Sequence, residues 1–398
     1  VLFRSGNAQF IVMALTQVLG VGAMALIAQA VGRKDLADAN LIFNQSLSLA
    51  GLAAAATLLG GALLGGRYVA SLGADAATVA AGRTYLAWFL PGLALQFAMV
   101  TMGSALRGTG IVRPTMVVQI ATVVLNAILA PILISGWLTG RPLGVAGAGL
   151  ATSIAIAVGV VMLWFSFVRL ERVVGFTPAL FRPQLPQWAR ILRIGLPPGG
   201  EFALMFVYMG VVYWVIRDFG APAQAGYGLG SRIMQAIFLP AMAVAFATAP
   251  LAGQNFGAGN FARVRETFRA AAWLGTGMMV VVTVVGRWQP EWFFQWFTED
   301  RAVVAVGAEF LRYVSWNFVA SGLIFTCSGM FQALGNTLPA LATSASRLFI
   351  FALPAVLMAR RPGFALRDLW LLSVVTTAVH AALSLWLLRR EFQRRLPR

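Results

Sequence analysis

Apolar residues run along this chain in long unbroken blocks, and polar residues are confined to the short intervals between them. The blocks lie near 8–31, 42–65, 84–107, 114–136, 144–168, 192–219, 230–256, 265–287, 304–333, 338–359 and 367–388. Each holds about 20 residues or more, which at ~1.5 Å per residue crosses a ~30 Å hydrocarbon core. Eleven membrane-spanning helices are therefore expected, and the fold class is all-α integral membrane. A transmembrane barrel would instead show short alternating segments. The segment Trp288–Trp296 is apolar but rich in tryptophan, and reads as an interfacial helix. Arg169 to Arg190 reads as a cytoplasmic linker with an amphipathic piece around Phe176–Trp188.

The pattern repeats. Gln29-Ala30-Val31-Gly32 followed by Asp35 returns 225 residues later as Gln254-Asn255-Phe256-Gly257 followed by Asn260. At the same spacing Asp75 matches Asp300, and Tyr85-Leu86 matches Phe310-Leu311. Arg107-Gly108-Thr109-Gly110 with Pro114 likewise matches Gln332-Ala333-Leu334-Gly335 with Pro339. The counterpart of the Ile191–Phe219 span would fall before Val1. The expectation is two six-helix lobes, twelve spans in the intact protein, with the first absent here. Residues 1–168 form the N-terminal lobe, 169–190 the linker and 191–398 the C-terminal lobe with a basic tail. Val1–Ser5 reads as non-native sequence. An even number of spans per lobe gives both lobes one orientation, with a cavity expected between them.

Composition sharpens the class. Hydrophobic residues make up 59% and charged residues 11%, with mean hydropathy +0.80, against ~45–50% and ~25% in soluble domains. The net charge of +17 comes from arginines at span ends, so it marks cytoplasmic loops rather than a nucleic-acid surface. The denser set (Arg33, Lys34, Arg107, Arg113, the linker, Arg263, Arg265, Arg269 and the Arg389–Arg398 tail) places the C-terminus in the cytoplasm of a bacterial inner membrane. The lone Cys327 excludes an intrachain disulfide framework, and the lone His380 excludes zinc motifs of the HExxH type. No cofactor or metal is expected.

Three ionisable residues fall near mid-membrane by counting. Glu201 follows the loosening run Gly195-Leu196-Pro197-Pro198-Gly199-Gly200, roughly 12 Å in from Arg193. Arg347 lies nine residues beyond Leu338, and His380 nine before Arg389. A carboxylate at that depth costs ~2.5–3.5 kcal/mol on insertion scales, so it has a partner or a task. Asp35, Asp38 and Asp75 sit at span ends, where helix capping accounts for them.

In order and spacing, several motifs resemble the multidrug and toxic compound extrusion (MATE) transporters. They are Leu106-Arg107-Gly108-Thr109-Gly110 with Pro114; the run Leu143 to Thr152; Ile194-Gly195-Leu196-Pro197; Gln254 to Gly259; and Phe331-Gln332-Ala333-Leu334-Gly335 with Pro339. The resemblance covers nearly the whole chain. It implies a monomeric antiporter, not an enzyme, that exports small organic and often cationic molecules in exchange for H+ or Na+.

On that basis Glu201 is the candidate for proton or ion coupling, tuned by Arg347 or His380. Burial raises a carboxyl pKa and a nearby arginine lowers it, so their separation decides whether Glu201 titrates. The competing reading is a fixed Glu201–Arg347 pair that closes the lobe interior, with His380 a satisfied core residue. Sodium-coupled members carry acids at two positions that here hold Met205 and Gln332, which favours protons. Candidate cavity residues are Met205, Tyr208 and Met209 on the seventh span, Trp316, Asn317, Met330 and Gln332 on the tenth, and Asn126 on the fifth. Soft methionines and aromatic faces suit varied cations; packing explains each one equally well. A lipid-linked saccharide flippase of the same architecture is the alternative. It would need several cavity cations, for which Arg347 and Arg232 are the candidates. A membrane-embedded enzyme would need a catalytic cluster, and a channel would not need broken, repeated lobes.

Overall fold

The computed structural model describes residues 2–72, 75–137, 140–170 and 173–396, and side chains within these from residue 12, leaving out those of 72 and 170. The chain divides into two compact units, Val1–Gly199 and Gly200–Arg398. The first contains α1 (Leu2–Gly32), α2 (Leu36–Leu72), α3 (Ala76–Thr109), α4 (Arg113–Ser135), α5 (Val145–Leu170) and the opening turns of α6 (Leu185–Ile216). The second contains the rest of α6, then α7 (Ala221–Gly257), α8 (Phe261–Trp288), α9 (Pro290–Gln295), α10 (Arg301–Val314), α11 (Asn317–Ala333), α12 (Leu338–Met358) and α13 (Leu366–Arg395).

The repeat is visible in the backbone. Helices α8, α10 and α12 begin 225 residues after α2, α3 and α4. Asp75 and Asp300 cap α3 and α10: Asp75 Oδ1 accepts from the Thr78 amide at 2.7 Å, and Asp300 Oδ1 from the Ala302 amide at 2.9 Å. Such caps satisfy amides that have no partner within the helix. The turn after α1 places Lys34 at φ 61°, and the turn after α7 places Gly259 at φ 71°. Both turns close with the same bond, Asp35 N to Ala30 O and Asn260 N to Asn255 O. One turn geometry is thus built twice, once with the glycine that left-handed backbone favours and once without it.

The first unit buries Ile27, Phe43, Phe97, Leu106 and Leu163 in its interior. Its α4 instead turns Met116, Val117, Ile120, Val123 and Val124 outward. A helix apolar on its exposed face is matched to hydrocarbon rather than to water.

One expectation is corrected. The expected single span 304–333 is two helices, α10 and α11, bent by 57°. No proline causes the break. Arg287 Nη1 donates to the Arg312 carbonyl at 2.7 Å, and the Thr283 hydroxyl, which donates to Met279 O at 2.7 Å, also lies 3.2 Å from the Ser315 carbonyl, so α8 side chains meet the backbone where the helical ladder stops. In α3, by contrast, the helix runs unbroken through Pro91.

The stretch Phe176–Trp188, read as an amphipathic piece of the linker, is not one continuous helix. Pro178–Phe181 is a single 3-10 turn, and α6 already begins at Leu185. Pro183 offers no amide for a continuous ladder. Instead, α2 side chains take up the backbone: Gln45 donates to the carbonyls of Leu180 and Arg182 and accepts from the Gln184 amide, and Asn44 bonds Gly175 O and Thr177 N.

The boundary between the two compact units falls at Gly199/Gly200, inside α6. The opening turns of α6 lie so close to α1 that a Cβ at Gly195 would collide with the Val18 carbonyl, and one at Gly199 with the Val18 side chain. Glycine permits that approach, and it ties these turns to the first unit.

Candidate functional site

The site lies within the second unit, where α6, α11, α12 and α13 bring polar groups together in an otherwise apolar interior. Helices α6 and α12 run side by side in the same direction. Gly200 faces Leu341, Ser344 reaches the Glu201 carboxylate, and Tyr208 packs on Phe351 with ring centres 4.5 Å apart. Glu201 and Tyr208 are seven residues apart, two turns, and so share one face of α6.

Arg347 is not paired with Glu201. Its guanidinium lies over the Tyr208 ring, 4.6 Å from the centroid, and among the described residues no ion pair involves Glu201. Glu201 Oε1 and Arg347 Nε are both buried without a hydrogen-bond partner. The expected fixed Glu201–Arg347 pair is therefore corrected. A guanidinium over an aromatic face keeps its charge compensated without a carboxylate.

Tyr208 is held from the other end. Its hydroxyl and Ser373 Oγ are 3.0 Å apart, and Asn317 Nδ2 donates to the same Ser373 oxygen at 3.2 Å. Asn317 is 3% exposed, and its Oδ1 has no partner. His380 is buried with Nδ1 unpartnered, so it is not the satisfied core histidine of the alternative expectation. Most buried polar groups in proteins are paired. Among the described residues five unpaired atoms, these four and Trp370 Nε1, lie on α6, α11, α12 and α13 of one unit and single this region out.

Sequence reasoning missed Ser344, Ser373 and Phe351. The signal was present in α13, where Ser373, Thr376, Thr377, His380 and Ser384 are all buried and recur at helical spacing. Thr376 and Thr377 donate back to the Ser373 carbonyl, and Ser384 bonds Thr343 of α12. A polar stripe inside an apolar span marks an interior face.

The other expected residues divide. Met209 is half-buried and Met205 is 43% exposed on α6. Trp316 is 57% exposed and covered by Arg287, 4.7 Å from its ring; it faces away from neighbouring buried Asn317. Met330 is wholly buried among Ala252, Val264, Cys327 and Phe331, so it packs and offers no contact. Gln332 bonds Ser328 one turn back, and Asn126 of the first unit bonds Thr152 across α4 and α5. Arg232 stands near Tyr213. No group of three or more His, Cys, Asp or Glu residues is placed to hold a metal among the described residues.

Among the described residues, ten helices long and apolar enough to cross a membrane, or eleven with the bent pair as one span, define a polytopic helical membrane protein. Ionisable residues buried in such a protein, as in the polar cluster of its second unit, mark a candidate functional site. The MatE family model matches residues 5–132 and 197–357, and the chain belongs to this family, the multidrug and toxic compound extrusion transporters. It is 27% identical over 332 residues to the multidrug export protein MepA of Staphylococcus aureus, covering 82% of this chain and 71% of that protein. It is 26% identical over 279 residues to the probable multidrug resistance protein YpnP of Bacillus subtilis, 68% of this chain and 60% of that one. Among solved structures it superposes on a MOP superfamily transporter from Pyrococcus furiosus with TM-score 0.92 at 21% identity, covering 99% of this chain and 88% of the other. The Vibrio cholerae MATE transporter VcmN in the bent form gives 0.87 at 24%, over 98% and 87%.

Proposed function

We propose that this chain is a secondary antiporter that exports small organic cations by alternating access, with Glu201 carrying the exchanged ion. The observation that carries the reading is the buried, unpartnered Oε1 of Glu201, with Arg347 turned away onto Tyr208. An uncompensated carboxylate in a low-dielectric interior is costly, so Glu201 is stable there when it holds a proton or a cation. Tyr208 supplies the aromatic face, and half-buried Met209 the polarisable wall, that a bulky cation needs. The names of the relatives, a multidrug export protein and a probable multidrug resistance protein, support export of small drug-like molecules.

Protons are the favoured exchange partner. Gln332 and Met205 stand where a sodium site of two acids would need carboxylates. The arginine-rich end of α13 supports a cytoplasmic C-terminus in a bacterial inner membrane, and the protein acts as a monomer. The test is transport of an organic cation by the purified chain in proteoliposomes, with a proton gradient or a sodium gradient imposed separately. A proton gradient is expected to drive transport and Glu201→Gln to abolish the coupling while leaving the protein folded. Sodium-driven transport that survives Glu201→Gln would defeat the reading.

A further inference from the structure

Two buried polar atoms without partners, Glu201 Oε1 and Arg347 Nε, belong to an acidic and a basic side chain on adjacent helices. Arg347 lies one turn beyond Ser344, ~4.5 Å along α12, and Ser344 is the residue that reaches the Glu201 carboxylate. That rise is shorter than an extended arginine side chain. Side chains on a helix also lean toward its N-terminus, which for Arg347 is the direction of Ser344 and Glu201. The guanidinium therefore has two places to rest: the Tyr208 face, where it stands, and the carboxylate one turn back.

We propose that Arg347 is a tethered competitor of the cationic substrate, resting on the Tyr208 face until an organic cation displaces it onto Glu201. The proposal rests on the reading of Tyr208 as the substrate's cation-binding face, and adds the step that links substrate to ion. An incoming cation and the guanidinium want the same ring. Once displaced, Arg347 needs an acceptor, because its Nε is buried without a hydrogen-bond partner and an unpaired buried donor is costly. Its other charged and titratable neighbours are Tyr208 on α6, Tyr227 on α7 and His380 on α13; none is an anion as it stands, and Asn317 of α11 is neutral. Glu201 alone can become one. As Arg347 arrives, the Glu201 O–H bond breaks heterolytically, the electron pair stays on the carboxylate and the proton passes to water. One positive charge enters and one leaves. The fixed partners of Tyr208, Ser373 and Phe351, keep the ring in place through the exchange.

The experiment measures binding of tetraphenylphosphonium to the full chain in lipid nanodiscs by calorimetry, with proton release followed in weak buffer. Arg347→Met is expected to bind the probe about two- to thirty-fold more tightly, the range set by the strength of a cation–π contact, and to release no proton. Arg347→Lys, which keeps a tethered cation, is expected to restore release. Binding by Arg347→Met at the parent's affinity or weaker, while Tyr208→Leu still abolishes binding, would overturn the competitor and leave the Tyr208 reading intact. Binding indifferent to Tyr208→Leu would instead remove the reading beneath it. Should Arg347→Met fail to fold, the parent decides: probe binding without proton release overturns the proposal, and release that disappears in Glu201→Gln supports it.

Discussion

The guanidinium of Arg347 lies 4.6 Å from the centre of the Tyr208 ring, and Tyr208 is in turn bound through its hydroxyl to Ser373 of α13. One tyrosine therefore receives a cation on its face and a fixed polar anchor at its tip. The face is held by a side chain of α12 and the tip by one of α13. This separation makes the two ends of the residue testable apart.

Tyr208→Phe keeps the face and removes the anchor. Its affinity for an organic cation is expected to stay within about threefold of the parent, since phenylalanine also supports cation–π contact. Ser373→Ala leaves the Tyr208 hydroxyl and Asn317 Nδ2 without their shared partner and is expected to cost about 1–3 kcal/mol of stability. Thermal unfolding in detergent with a tryptophan reporter, beside probe binding, separates the two effects.

The break between α10 and α11 depends on Thr283 and Arg287 of α8. Thr283→Val preserves shape but removes the hydroxyl shared between the Met279 and Ser315 carbonyls. The expected loss is about 1–2 kcal/mol, accompanied by faster amide exchange at Trp316 and Asn317. Unchanged exchange there would show that the bend does not need this hydroxyl.

The linker is held by three hydrogen bonds from a single side chain, Gln45 to Leu180 O, Arg182 O and Gln184 N, at 2.6, 2.7 and 2.9 Å. Gln45→Leu removes all three at a buried position. Cleavage by chymotrypsin after Phe181 is expected to accelerate several-fold while the helical circular dichroism is retained, because local opening rather than global unfolding exposes the segment.

At the end of α13, Glu391 is buried and accepts from Asn336 Nδ2 at 2.9 Å, with Arg395 Nε 2.6 Å from the same oxygen. Glu391→Leu leaves Asn336 and Arg395 short of a partner. A fall in thermal stability of about 1–3 kcal/mol is expected, and Asn336→Leu made in the same background should add little, because the two residues share one interaction.

Outside the membrane-spanning segments, Asp75 gives a pH dependence of known sign. The Thr78 amide and then the Thr78 hydroxyl hold its carboxyl below the ordinary 3.8. A depressed folded-state value means that the cap's contribution is complete above 3.8 and is lost as pH falls through the lower folded-state value. The difference in melting temperature between the parent and Asp75→Ala should be full at pH 7 and close progressively below pH 3.8. A constant difference would mean that the carboxylate form is not what caps α3.

The eleven apolar blocks, the 225-residue repeat and the depth of Glu201, Arg347 and His380 are properties of residue type and spacing along one dimension, so the sequence alone determined them. Hydrocarbon accepts only backbone that satisfies itself, so apolar length translates directly into helix. The same logic placed Asp75 as a cap, which acts on an amide three residues away, and the repeat paired Asp300 with it. Tertiary structure alone decided which of two acceptors Arg347 takes, because a long side chain on α12 reaches either Tyr208 or Glu201 and their separation is set by how α6 and α12 pack. It also decided that Arg287 and Thr283 break the ninth apolar block, that the opening turns of α6 lean on α1 through Gly195, and that Met330 is core while Asn317, two residues from Ser315, faces Ser373. Each is a contact between residues distant in sequence, and periodicity reports which face of a helix is polar without naming the neighbour that meets it.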